Sequence, residues 1–520
     1  MSKTQTNARR PSALDRAVAR IAPQAALRRE AARQRLEIMN SGYSHHGANS
    51  SKKSMRGWIS ESYSPKEDIN GNLDILRERS RDLYMGGGNI ATGAIKTTRT
   101  NVVGSGLMLK PSVDGGFLKM GDIEAEKWER TVLREFEYFA TSVNSDRFRL
   151  NNFYENQQLA FLSALLSGDV FVLLPYKKRQ GSLYDLRIQL IEADRVRTPE
   201  HLAADPDVSQ GVEVKDGEIV AYYVADKYPH ENYLGGHTRV KAFGSRTGRQ
   251  NILHIMDSER PGQTRGVPVL APVIESLRQL GNYTTAELTA AVVGGLFTVF
   301  VTSEEPEVEL GEGIPPDGRL EPDNEYSYEL GNGSVVQLGV GEKIETAAPG
   351  RPNAAFDGFV NAVLRQIGSA LEIPYELLIK HFSASYSASR AALLEAWKMF
   401  RMRRKWFAND FCQPIYEEWL SEAVAIGRVY APGFFDDPVV RAAYCKAEWH
   451  GPSQGQIDPL REVNAAVKRI DATLSTRERE AAEMTGTDYS VNHRQRVKEE
   501  TMRRELANII GNEGEGGDEE

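Results

Sequence analysis

The sequence predicts a mixed α+β fold dominated by helices, and three observations carry that prediction. Apolar residues recur at three- and four-residue steps through several long stretches, the spacing of a helix with one buried face. Short apolar runs bounded by Gly, Asp and Asn clusters read as strands. Apolar residues make up 40% and charged residues 26% of the 520, the balance of a globular chain able to bury a sizeable core.

Residues 1–56 are basic and polar: nine Lys/Arg through Leu36 face only Asp15 and Glu30. They predict a short helix around Pro11–Asn40 and then a flexible stretch rich in Ser, Gly, His and Lys. Such an arm touches DNA or a neighbouring subunit, or is a solvated basic tail. Globular patterning starts near Leu73. Leu73, Leu76 and Leu83 lie at helical spacing, Gly86–Gly88 break the helix, and a second helix follows. Trp128, Val132, Phe136 and Phe139 share one face of a helix over 122–140, and a further helix spans Asn151–Leu166. Strands follow in the runs VFVLLPY, LRIQLIEA, Ile219–Val224 and Ile252–Met256.

From Gly266 the pattern changes to a long helix, with Pro268 in its first turn and Gly294-Gly295 at its end. An acidic, Pro-rich stretch follows, with Glu304, Glu305, Glu307 and Glu309. Gly331–Ser334 then reads as a hairpin turn between two short strands. Phe356, Phe359, Val360, Val363, Leu364, Ile367, Ala370 and Leu371 form one helical stripe that Pro374 ends. A Ser-rich loop leads to Ser389, a candidate cap for a helix from about Arg390 to Ala425, kinked at Pro414. The last hundred residues are helical in parts, and the final eight carry five acids, the composition of a disordered tail.

The net charge of −8 argues against a surface that grips nucleic acid along its whole length. Two cysteines, Cys412 and Cys445, exclude a disulfide framework or a Cys-rich zinc site and suit a reducing compartment. The longest apolar run, Ala290–Val301, falls well short of the roughly 20 residues a spanning helix needs. With no secretory signal pattern, the chain is expected to stay where it is made, away from membranes. Enzymatic motifs fail on inspection. Gly88–Gly93 has the outer spacing of a P-loop, but Ala94 and Ile95 stand where Lys and Ser/Thr are required. Gly451–Gly455 matches G-x-S-x-G around Ser453, but Pro452 and its neighbours suggest a loop instead of a nucleophile elbow. His45-His46 stands alone in the N-terminal stretch, and no HExxH is present. No enzyme, cofactor or metal site is expected.

A series of strings occurs in a telling order: Arg81-Asp82-Leu83, Thr100–Gly104, Gly168–Phe171, Ile191–Arg195, His254 within ILHIMDSERPGQTRGVPVLAPVI, Leu371–Leu378, Tyr386–Trp397, Trp449–Pro452 and Ile457–Pro459. Spread over residues 70–505, they resemble the lambda-type portal proteins of tailed phages.

The resemblance implies a ring, usually of twelve subunits, that conducts double-stranded DNA at one vertex of the virion. It implies a wing (57–265 with 389–428), stem helices (266–295 and 353–374), a clip (296–352), a tunnel loop (375–388) and a crown (429–510), between the arm 1–56 and the acidic tail 511–520. The implied partners are the terminase large subunit, head–tail connectors, and the major capsid and scaffold proteins, with assembly in the host cytoplasm. Lys380, His381, Ser383, Ser385, Tyr386 and Ser387 would face the channel. Arg401, Arg403, Arg404 and Lys405 would pair between subunits or steer DNA. Glu304, Glu305, Glu307 and Glu309 would form the clip's docking surface.

A sliding duplex is served by acidic or neutral walls, since dense Lys/Arg would trap its phosphates. Twelve copies at −8 give 12 × −8 = −96. Two other readings compete: a head–tail adaptor, for which the chain is long, and a hydrolase using Ser453.

Overall fold

The fold is that of a computed structural model, which describes residues 22–39, 53–55, 58, 61–86, 89–231, 235–295, 299–303, 342–346, 355–382, 385–455 and 458–514. The chain divides into two units, Met1–Ser64 and Pro65–Glu520. The first contains helix α1 (Pro23–Met39), inside the predicted span. The Gly331–Ser334 hairpin and the four clip glutamates lie outside the described residues.

The second unit opens with α2 (Pro65–Asn70), α3 (Leu73–Met85), α4 (Asn89–Val102), β1 (Met108–Pro111), α5 (Gly115–Leu118), α6 (Asp122–Ala140) and α7 (Phe153–Ser167). In α6 the predicted face is the buried one: Trp128, Val132, Phe136 and Phe139 all point into the core. Asn152 starts α7 through a reciprocal capping box with Glu155. Ala94 and Ile95, where a P-loop would need Lys and a hydroxyl, are buried on α4.

Strands β2 (Asp169–Leu173), β3 (Gln189–Glu192) and β8 (Ile252–Met256) form an antiparallel sheet with β2 in the middle. A four-stranded meander lies between them in sequence: β4 (Val208–Ser209), β5 (Val212–Lys215), β6 (Glu218–Ala225) and β7 (His237–Lys241). Phe171, Ile191, Val212, Tyr222 and Ile252 close a small separate core there.

The long helix α8 (Ile274–Gly295) ends at the predicted glycines but starts later than the expected Pro268. The reason is local. Val269 donates its N–H to the Leu165 carbonyl at 3.0 Å, and Pro272, which has no N–H, holds Ala271–Val273 in a 3-10 turn. After α8, β9 (Val299–Ser303) pairs antiparallel with β10 (Glu342–Thr346), a strand not anticipated from the sequence. Next come α9 (Phe356–Ala370), α10 (Tyr375–Ile379) and α11 (Tyr386–Phe407). A π turn at Ala408–Cys412 joins α11 to α12 (Gln413–Ala425). Pro414 cannot donate and its ring would strike the carbonyl of Asp410, so the helix widens just before it. Then α13 (Pro438–Cys445), β11 (Ala447–His450), α14 (Pro459–Asp471), α15 (Arg477–Thr485) and α16 (Tyr489–Gly514) complete the chain.

The main core is built around α12. Phe136 meets Phe153, Tyr416, Trp419 and Trp449 edge-on, with ring centroids 5.0–6.1 Å apart. Strand β11 returns to pair with β1, so Trp449 opposes Leu109 and the C-terminal segment closes over the first helices.

Candidate functional site

The segment between α9 and α11 is less open than a Ser-rich loop over 375–388 would be. Pro374 ends one helix and starts another: Leu377 and Leu378 donate to its carbonyl at 3.0 and 2.9 Å. Leu378 is buried, which anchors α10. At Gly368 a Cβ would stand 2.6 Å from the Ile373 carbonyl, so only glycine lets the chain double back there. Lys380 takes a left-handed conformation, φ 56°, and ends α10. Ser385, not Ser389, is the N-cap residue of α11, and Tyr386 and Ser387 already belong to its first turn. Lys380, His381 and Ser385 are exposed between the two helices, and Ser383 lies outside the described residues.

The four basic residues of α11 divide into two pairs. Arg401 and Lys405 are exposed. Arg403 is mostly covered and lies 3.8 Å from Glu372. Arg404 is used inside the chain: it donates to the carbonyls of Asn101 (2.8 Å), Val102 (3.0 Å) and Pro452 (2.8 Å). Burial lowers its pKa to about 10. Around it a Cβ on Gly104 would fall 2.3 Å from Pro452, and one on Gly451 2.7 Å from the Arg404 guanidinium. Two of the sequence strings, Thr100–Gly104 and Trp449–Pro452, thus meet through Arg404.

Two others, Gly168–Phe171 and the run that holds His254 and Arg265, meet at Asp169, and Ile191–Arg195 and Arg81–Leu83 join them through Arg265 and Asp194. The fully buried Asp169 carboxylate accepts from Arg265 Nε (2.7 Å) and Nη2 (3.1 Å), Arg77 Nη2 (3.0 Å) and the Gly266 N–H (2.9 Å). His254 Nε2 lies 3.2 Å from its second oxygen. Burial alone would raise the carboxyl pKa; the charges of Arg265 and Arg77 outweigh it and hold Asp169 well below the usual range. Burial is also the largest influence on His254 and pushes it down, against the pull of Asp169. Arg265 reaches the Ala193 carbonyl at 3.0 Å and the Val196 carbonyl at 2.8 Å. Arg81, one turn beyond Arg77, pairs with Asp194. A Cβ on Gly266 would stand 2.0 Å from the Gly168 carbonyl oxygen, so two bare backbones touch where the sheet hands over to α8. In the sequence nothing marks Arg77, and Arg265 is one residue inside the run ILHIMDSERPGQTRGVPVLAPVI with no feature that singles it out.

Helices α8 and α9 pack only in part. Tyr283 stacks on Phe356 (5.5 Å) and meets Phe359 edge-on (5.0 Å). Yet Leu288, Val292 and Phe359 remain 65%, 58% and 53% exposed. On the predicted stripe of α9 only Leu364 and Ile367 are buried, with Leu371 just beyond its end.

A cavity of about 840 Å³ lies between the β1–β11 pair, α11, α15 and α16, bordered by Lys110, Arg401, His450, Ser453, Glu478 and Asp488. Strand β11 does precede Ser453, but the next helix begins only at Pro459, so no strand–turn–helix elbow forms. Among the described residues no group of three or more His, Cys, Asp or Glu is placed to hold a metal ion, and no helix is long and apolar enough to cross a membrane.

Residues 51–404 match the family described as phage portal protein, lambda family. Portal protein B of Escherichia phage lambda is 26% identical over 493 residues, covering 90% of this chain and 91% of its own. The portal protein of Escherichia phage N15 is likewise 26% identical, covering 89% and 90%. Among solved structures, a chain in the virion of a native gene transfer agent particle aligns at 14% identity with a TM-score of 0.42, over 79% of this chain and 93% of that one. The family model spans well over half of the sequence, and the chain belongs to the lambda family of phage portal proteins.

Proposed function

We propose that copies of this chain assemble into a ring at one vertex of the phage head, and that double-stranded DNA passes along its axis during packaging and ejection. Family membership supports the role. The observation that carries the assembly is the uncovered apolar face of α8 and α9. Leu288 and Val292, one turn apart on α8, and the half-exposed Phe359 of α9 are apolar side chains that a single chain leaves in water, and a neighbouring copy would cover them.

In this reading residues 57–265 with 389–428 form the wing, 266–295 and 353–374 the stem, 296–352 the clip and 429–510 the crown. The stretch 380–385 and the first turn of α11 face the channel, with Lys380 and His381 as its sparse cations and serines as its neutral lining. The acidic clip is the docking surface for the terminase large subunit and then for head–tail connectors, and the wing rim meets the capsid and scaffold proteins. The part played by the chain is structural, as in its family. Ring pairing through the basic cluster is narrowed to Arg401 and Lys405, because Arg403 and Arg404 already have partners within the chain.

Electron microscopy of the purified protein tests the assembly: rings with an axial opening of roughly 20 Å or more, wide enough for a duplex, are expected. Monomers persisting at high concentration would overturn it. Deleting Ser383–Ser385 should leave rings intact but impair DNA packaging or retention. Unchanged packaging would remove the channel role of this stretch.

A further inference from the structure

Away from the stem, one surface of this acidic chain is strongly basic. Residues 144–150 and 175–188 lie side by side. Arg147 donates its N–H to the Ile188 carbonyl (2.8 Å), and Ile188 donates its own to the Ser145 carbonyl (2.7 Å). The Lys177 N–H donates to the Asp185 carbonyl (2.7 Å) and the Arg187 N–H to the Pro175 carbonyl (2.9 Å), which folds the second segment back on itself. The two segments carry six cations: Arg147, Arg149, Lys177, Lys178, Arg179 and Arg187. They carry two carboxylates, Asp146 and Asp185, giving 6 − 2 = +4 in a chain whose total is −8.

Two of the cations build the platform. Arg179 donates to the carbonyls of Asn144 (3.2 Å), Asp146 (2.8 Å) and Arg147 (2.6 Å). Arg187 is buried and bonds the carbonyls of Tyr184 (2.6 Å) and Leu186 (2.7 Å), with no carboxylate among its hydrogen-bond partners. The other four make no ion pair among the described residues. Arg147 first, then desolvation and the charges of Arg179, Arg149 and Arg187, push the Lys177 ammonium below its usual range, as expected of cations crowded on one face.

Large apolar side chains stand among these charges. Phe148, Leu150 and Leu183 are 60%, 76% and 51% exposed. Phosphates would satisfy the cations, but a duplex offers nothing to two exposed leucines and a phenylalanine. Carboxylates interspersed with apolar residues would satisfy both sets. We infer that this face is a docking surface for an acidic, apolar-containing segment of another protein. The inference goes beyond ring assembly and does not depend on it.

The test uses the full-length protein and three fluorescent probes: a short synthetic peptide of alternating Glu and Leu, an all-Glu peptide of equal length, and a short DNA duplex. Anisotropy should show the mixed peptide binding tightest. Lys177→Glu with Lys178→Glu should weaken it by about tenfold or more, through exposed side chains that hold nothing else in the fold. Phe148→Ser with Leu150→Ser should weaken the mixed peptide and leave the all-Glu peptide unchanged. Thermal melts and ring formation should match the parent in both variants, which separates this face from the assembly surface. Duplex binding that exceeds the peptide and ignores the serine substitutions would overturn the proposal in favour of a nucleic-acid face. Loss of rings in the charge-reversed variant would overturn it in favour of a second copy. Equal peptide binding by parent and charge-reversed protein would overturn it outright.

Discussion

Helices α11–α12 and helices α8–α9 carry similar apolar patterns and meet opposite fates. Along the first pair, Trp397, Phe400, Phe407, Phe411, Ile415 and Trp419 are all buried inside the chain that makes them. Along the second, Leu288, Val292 and Phe359 face outward. Spacing tells which residues share a face; it does not tell what covers that face. In the proposed ring the covering would be divided between the chain and its neighbours, one kind of pattern stabilising the subunit and the other holding subunits together.

Substitutions should pull these two roles apart, and single-chain stability orders the outcomes. The largest loss is expected inside the subunit. Asp169→Ala leaves Arg77 and Arg265 buried without their carboxylate and should cost about 3–5 kcal/mol in denaturant unfolding. Trp419→Ala opens the aromatic core and should cost about 3–5 kcal/mol as well, with a hydrophobic cavity in place of unpaired charge. Smaller is the pH dependence of His254. Its folded pKa is lowered, so its contribution is complete above the unfolded value of about 6.5 and is lost as pH falls through the folded value. Unfolding followed at descending pH should show a weaker dependence in His254→Gln than in the parent.

Leu288→Lys with Val292→Asp should move single-chain unfolding by only about 0.5 kcal/mol, since both residues are exposed. The same pair should abolish rings in sedimentation velocity; rings that persist would break the contrast between the two helix pairs. Ser453→Ala should change neither stability nor assembly, and loss of either would give Ser453 a role the fold does not assign.

Much of the helical framework was legible because its signals are local. The stripe of α6, the glycines at the end of α8 and the apolar run of α7 each act within a turn or two of chain. The sequence misled where local chemistry has two outcomes. Pro374 both ends and starts helices, so α10 was read as loop, and Pro272 displaced the start of α8. Strand β10 has a weak local signal, since its partner β9 lies about forty residues away and its charged run EKIET lacks the alternation of a half-buried strand. The strings that carried the resemblance were easy to see, but their purpose was not. Arg77, Asp169 and the pair His254 and Arg265 come from three separate stretches, and only the fold brings them together. The same holds for Gly104, Arg404 and Pro452. These strings mark joints of the subunit. The exception is Tyr386–Trp397, whose first residues belong to the stretch proposed to face DNA.

The Gly168–Gly266 joint has a mechanical consequence. Side-chain packing yields under load by changing rotamers, but two peptide groups in direct contact have no rotamers to change. A push along α8 reaches the sheet through that contact and through the arginines gripping Asp169, with no compliant layer between. Even Gly266→Ala would insert a methyl group as a wedge at this bearing point and turn a rigid coupling into a strained or slack one. Helix α8 and the sheet are thus coupled at this joint through backbone contact rather than through side chains that could yield.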